Sequence, residues 1–131
     1  MTKPLAVITG ASSGIGEATA KAFSAAGYPT LLLARRLERM EALSLPNSMC
    51  RQVDVRNRDE LVAAIREAEA EYGPTDMIFN NAGVARLADI GTQPPEDWDE
   101  MIAINTNGVM NGVYAVMGQM KERRTGTIVN M

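Results

Sequence analysis

Several short stretches of this sequence carry residue types that can bind or react. The first is Thr9-Gly10-Ala11-Ser12-Ser13-Gly14-Ile15-Gly16, where glycines spaced GxxxGxG separate an apolar run from a helical pattern. Glycine at position 10 permits a tight turn, Gly14 lets the main chain approach a pyrophosphate, and Gly16 lets a helix pack closely on a strand. The amides that open the helix, around Ser12, Ser13 and Ile15, then face an anion. An ordinary strand-to-helix turn uses the same glycines, and Thr19 stands where the GxGxxG fingerprint has its third glycine. The strand-loop-helix setting favours the phosphate reading. The other stretches are Arg35-Arg36, Asp54-Val55, Asn80-Asn81-Ala82-Gly83 and the segment around Asn105. Taken singly, Arg35-Arg36 reads as a solvated helix start, Asp54 as a turn cap, the asparagines as a turn cluster and Asn105 as a polar helix junction.

What is missing narrows the chemistry further. The 131 residues contain no histidine, so no Ser-His-Asp or Cys-His relay exists here, and zinc would have only carboxylates and one thiol. No metal site is expected. Cys50 is the single cysteine and is expected to be an apolar strand residue; with nine methionines it suits a reducing compartment. Thirteen basic against sixteen acidic residues leave a net charge of −3, and the arginines are spread along the chain, so no nucleic-acid partner is expected. The N-terminal apolar run at 5–8 is too short for a signal peptide core or a bilayer span, so the expected location is cytoplasmic, with no membrane partner.

The elements that must hold these residues alternate. Strands are expected at 5–9, 30–34, 49–53, 77–80 and 127–131, and helices from the glycine loop to Gly27, at 37–43, from Asn57 to Tyr72, from Pro94-Pro95 to about 104 and at 107–120. Ile15, Ala18, Ala22 and Ala25 recur at helical spacing in the first helix. Asn57 with Glu60 forms a capping box, and Leu61, Ile65, Ala68 and Tyr72 form the apolar stripe that follows. Regular alternation implies an α/β fold, a parallel sheet with helices on both faces. The expected form is one dinucleotide-binding domain over 1–131, a Rossmann-type doubly wound parallel sheet of strand order 3-2-1-4-5. The order reverses between strands 1 and 4, which puts the glycine loop and Asn80 to Gly83 at one crevice.

On these motifs the chain resembles the N-terminal half of a short-chain dehydrogenase/reductase. The resemblance rests on the Thr9 to Gly16 loop, Asp54-Val55, Asn80-Asn81-Ala82-Gly83 and Asn105-Thr106-Asn107-Gly108. It implies hydride transfer between a nicotinamide cofactor and a secondary alcohol or ketone, such as a 3-hydroxy acid or 3-oxoacyl thioester. It also implies that Asn81, Ala82 and Gly83 flank the cofactor and brace the sheet, that Asp54 and Val55 bracket the adenine, and that Asn105 holds a water in the proton relay. A dinucleotide fold that prefers NAD places an acidic residue about 20 residues past the glycine loop, whereas arginine accommodates a 2′-phosphate. Ala34-Arg35-Arg36 therefore points to NADP over NAD, with Arg36 the stronger candidate.

The chain departs from the family after strand 5, where the resembling enzymes carry a serine and then Tyr-x-x-x-Lys. Tyr28, Tyr72 and Tyr114 are followed four residues later by Leu32, Asp76 and Gly118, so that motif is absent. The chain is accordingly expected to be the truncated, incomplete part of a longer NADP-dependent oxidoreductase, inactive alone. The alternative is a finished nucleotide-binding module without turnover. Val109, Val113, Val116, Met117 and Met120 make the last helix apolar around much of its girth, and with the family resemblance this implies a homodimer or homotetramer.

Overall fold

β1 (Leu5–Thr9) and β2 (Thr30–Ala34) are buried at every position, the behaviour of strands covered by helices on both faces. In the computed structural model, which describes residues 2–131, they lie at the centre of a parallel sheet of order β3-β2-β1-β4-β5. β3 is Ser48–Gln52, β4 is Thr75–Asn80 and β5 is Thr127–Asn130. The crossovers are α1 (Gly14–Ala25), α2 (Leu37–Glu41), α3 (Arg58–Tyr72), α4 (Pro95–Ile102) and α5 (Gly108–Arg123), with a π-helical turn, Ala103–Asn107, joining the last two.

Strand alternation divides the core in two. Leu5, Val7, Leu31, Leu33 and Ile78 pack with Leu61, Ile65 and Ala68 of α3 and with Val116 and Met120 of α5. Ile8, Leu32, Ala34 and Phe79 face the other way, against Ala20 of α1 and Met40 of α2. Since successive strand side chains point to opposite faces, the same two strands build both layers, and the doubly wound sheet follows.

Several local details differ from the sequence pattern. The Ile15, Ala18, Ala22, Ala25 row that marks α1 as a helix is its solvent face, and Ile15 is 57% exposed. The buried row is Gly16, Ala20 and Ser24. Both rows are small and share one period, but only the second contains Gly16, where a Cβ would run into the carbonyl of Gly10. Gly16→Ala is therefore expected to lower stability by about 1–3 kcal/mol in urea unfolding, because the obstacle is backbone and cannot swing aside. The capping box is half formed: the Asn57 side chain accepts the Glu60 amide, while the Asn57 amide donates to the Asp54 carbonyl. In α3, Ala64 joins the stripe and Tyr72 packs only partly. β4 starts two residues before the expected 77, with Thr75 buried because Glu69 accepts its hydroxyl at 2.8 Å.

Candidate functional site

β1 leads to the β2 side of the sheet and β4 to the β5 side, so the loops leaving their carboxyl ends part at the order reversal. The Thr9 hydroxyl joins them, accepting the amides of Asn81 and Ala82 at 3.0 Å each and donating to the Phe79 carbonyl at 3.4 Å. The Asn81 side-chain amide donates to the carbonyls of Thr9 and Gly10, both at 3.4 Å. Gly10 has φ +64°, and a Cβ there would lie 2.9 Å from the Ala82 Cα. Only glycine meets both the left-handed backbone and the close approach. The two motifs read from sequence are thus one interlocked unit.

Beside this unit is a cavity of about 210 Å³. Gly10, Ser12 and Ser13 line it from the β1 loop, Arg35 and Arg36 from the end of β2, Asp54 and Val55 from beyond β3, and Asn81, Ala82 and Gly83 from beyond β4. Gly14, Ile15 and Gly16 do not line it: Gly14 starts α1 at φ +55°, Ile15 projects outward and Gly16 is buried against Gly10. Ser13 stands at the N-cap without a side-chain capping bond, so it does not satisfy the first-turn amides of α1. Sequence reading missed Thr9 as the joint; its hydroxyl at a strand end, directly before the first glycine, was the available signal.

The cavity has charge of both signs. Among the described residues, neither Arg35 nor Arg36 makes an ion pair. Asp54 is clamped by Arg56, which reaches it through Nη2 at 2.6 Å, through Nε at 3.0 Å and through its backbone amide at 3.0 Å. Asp54 therefore caps its own turn as well as lining the cavity. The hydrogen bond from the Arg56 side chain, outweighing partial burial, holds the carboxyl below its usual 3.8. A depressed folded-state value means that the pair stabilises the fold above the unfolded pKa and loses that contribution as pH falls through the folded one. Asp54→Asn is accordingly expected to lower the urea midpoint at pH 7, with the difference from the unmutated protein shrinking below about pH 4.

Asn105 lies outside this cavity, in an adjoining depression shared with Asn81 to Ala85 and Met131. Its side chain donates to the Val84 carbonyl at 2.7 Å and accepts the Val84 amide at 2.8 Å. One N–H and one lone pair are thereby used to strap the π-helical turn to the loop after β4; a second of each remains for another partner. Asn80, below, donates to the Asn130 side chain at 2.9 Å and accepts the Met131 amide at 3.1 Å, tying the ends of β4 and β5. Among the described residues no group of three or more metal-ligating side chains occurs, and no helix is long and apolar enough to cross a membrane.

Known proteins resemble the chain in sequence and in fold. The chain is 36% identical over 129 residues to an uncharacterized oxidoreductase of Staphylococcus saprophyticus, covering 95% of this chain and 52% of that protein. It is 34% identical over 135 residues to the NADP-dependent 3-hydroxy acid dehydrogenase of Salmonella typhimurium, covering 97% and 53%. A solved structure, the closed form of serine dehydrogenase complexed with NADP+, matches with a TM-score of 0.90 at 33% identity, covering 96% of this chain and 52% of that one. The chain thus spans about half the length of the curated relatives it matches. Residues 4–131 match the profile of the short chain dehydrogenase family. A match that runs through all five strands and both loops of the crevice is a match of the whole chain, and the chain belongs to the short chain dehydrogenase family.

Proposed function

We propose that the crevice binds NADP(H) and that the protein is an oxidoreductase interconverting a secondary alcohol and a ketone. The observation that carries this reading is the convergence of four strand ends, β1 to β4, on one cavity with two arginines that make no ion pair among the described residues. The residues suit a dinucleotide. Side chains are missing where the loops meet, a Cβ at Gly10 would close the approach to Ala82, and the uncapped start of α1 offers amides to a pyrophosphate. Arg36, with Arg35, would hold the 2′-phosphate, Asp54 and Val55 would bracket the adenine, and Asn81, Ala82 and Gly83 would flank the rest. The bound nicotinamide supplies hydride-transfer chemistry. Asn105, with its remaining amide valences beside the crevice, would hold a water at the entrance of the proton path. Likeness to the NADP-dependent 3-hydroxy acid dehydrogenase, and to an acetoacetyl-CoA reductase of Rhizobium meliloti at 36% identity, supports 3-hydroxy acids or 3-oxoacyl thioesters as the substrate class.

A second reading, a nucleotide-binding module without turnover, is favoured by one observation: the sequence has no Tyr-x-x-x-Lys. Loss of NADPH absorbance on adding 3-oxo acids or 3-oxoacyl thioesters to the full protein decides between them. Substrate-dependent oxidation is the expected result; tight NADPH binding with no oxidation of any ketone supports the module instead. A cytoplasmic location, where NADPH is supplied, belongs to the same proposal.

The proposed homodimer or homotetramer forms through the outer side of α5. Val116 and Met120 lie in the core and drop out of that interface, leaving Val113 with the exposed Met117, Met110 and Tyr114. Met117→Glu is expected to shift light scattering toward the monomer, and an unchanged, folded multimer contradicts this interface.

A further inference from the structure

The cavity wall at Val55 is held from across the molecule, by α5. Asn111 is 4% exposed in the middle of that helix, and its side-chain amide donates to the Val55 carbonyl at 2.8 Å. Its oxygen accepts Nε of Arg58 at 2.9 Å, so both ends of the amide are fixed and its orientation is determined. The Arg58 guanidinium is itself held over the Tyr114 ring, 5.4 Å from the centroid. One turn earlier in α5, Gly108 lets the helix come close: a Cβ there would lie 2.6 Å from Cγ2 of Val55. The carbonyl and the side chain of Val55 are therefore both located by α5.

We propose that Asn111 is a positioning residue for the adenine end of the nucleotide, acting through Val55. The inference rests on the proposed reading of the cavity as a dinucleotide site and adds the residue that sets its adenine wall. Without the Asn111 donor, the Val55 carbonyl has no partner in a buried position and the Asp54-Val55 turn can settle elsewhere. Only the part of a ligand that touches Val55 then loses affinity.

That restriction provides the test. Adenosine 2′,5′-bisphosphate probes the adenine end, and nicotinamide mononucleotide probes the other end without reaching Val55. Asn111→Leu removes donor and acceptor. Asn111→Asp keeps the acceptor for Arg58 but sets a carboxylate against the Val55 carbonyl, and Gly108→Ala displaces Val55 from the other side. All three are expected to weaken adenosine 2′,5′-bisphosphate about five- to fiftyfold in calorimetric titration of the full protein, the effect of one lost buried hydrogen bond. Nicotinamide mononucleotide, followed by saturation-transfer NMR on the same samples, should bind unchanged and so also report that the variants are folded.

Equal losses for both ligands, or an Asp variant that binds adenosine 2′,5′-bisphosphate as the unmutated protein does, would make Asn111 only a tie between α3 and α5 and overturn the proposal. An unmutated protein that fails to bind adenosine 2′,5′-bisphosphate would overturn the dinucleotide reading, and this inference with it. Binding by the unmutated protein with unaltered variants overturns the inference alone.

Discussion

A polypeptide consisting of these 131 residues alone is expected to show no measurable hydride transfer with any ketone, although the cavity and Asn105 are present. The reaction needs a group that exchanges a proton with the carbinol oxygen and a donor that stabilises charge developing there. None of the three tyrosines is placed for that work. Tyr28 precedes β2 and Tyr72 ends α3 before β4, which puts both at the amino ends of the strands, opposite the crevice. Partial burial also pushes the Tyr72 hydroxyl up, the reverse of what an acid/base tyrosine requires. Tyr114 is 67% exposed on α5, under Arg58. Absence of the acid/base group removes roughly 10²–10⁴ in rate and absence of the charge-stabilising donor roughly another 10²–10³. Absorbance of NADPH with a mass-verified 131-residue sample checks this, and steady cofactor-dependent turnover would show that the roles are wrongly assigned.

The second large effect concerns the 2′-phosphate. The full protein is expected to bind NADPH roughly ten- to a hundredfold more tightly than NADH, since a charge-assisted contact contributes about 1.5–3 kcal/mol and 1.4 kcal/mol is tenfold. Arg36→Ala should collapse most of that ratio by weakening NADPH while leaving NADH almost unchanged. Arg35→Ala should reduce it less, because Arg35 already has acidic neighbours. It contributes to holding the Asp54 carboxyl low, after Arg56, and that of Glu100, after Arg86 and Arg56. Arg36 has no ion-pair partner among the described residues and sits at the N-cap of α2, facing the cavity with Ser12 and Ser13. Titrations at fixed ionic strength are needed, since screening alters contacts of this kind. Equal affinity for both cofactors in the unmutated protein, or an Arg36→Ala ratio that does not move, contradicts the role given to Arg36.

The strands were legible where burial is complete. β1 and β2 are runs such as Leu5-Ala6-Val7-Ile8 and Leu31-Leu32-Leu33, in which burial on both faces leaves no room for polar alternation. Alternation of elements and right-handed crossovers point to a doubly wound parallel sheet without selecting its order; the expected 3-2-1-4-5 is the order found. Less was legible where two solutions share a period. The two small-residue rows of α1 differ only in the contact of Gly16 with Gly10, a tertiary fact. The start of β4 is polar: Thr75 becomes a strand residue because pairing with Leu5 of β1 and the Glu69 carboxylate satisfy it, while Asp76 falls at a register shift and accepts from Arg123 and Thr125. The π-helical turn at Asn105 leaves no mark on an apolar pattern and became visible only with the Val84 strap. Asn111 is one polar residue on an apolar helix, and its partner, the Val55 carbonyl, is backbone and has no sequence signature.

Hydrogen–deuterium exchange on the full protein with and without saturating NADPH tests most directly whether the crevice is the nucleotide site. Predicted is slower exchange, on adding NADPH, at the amides of 12–16, 35–36, 54–55 and 81–83, with the amides at the amino ends of the strands, 26–28 and Gly73, unchanged. Protection confined to those amino-end loops, or no protection at saturating NADPH, would contradict the assignment of the crevice.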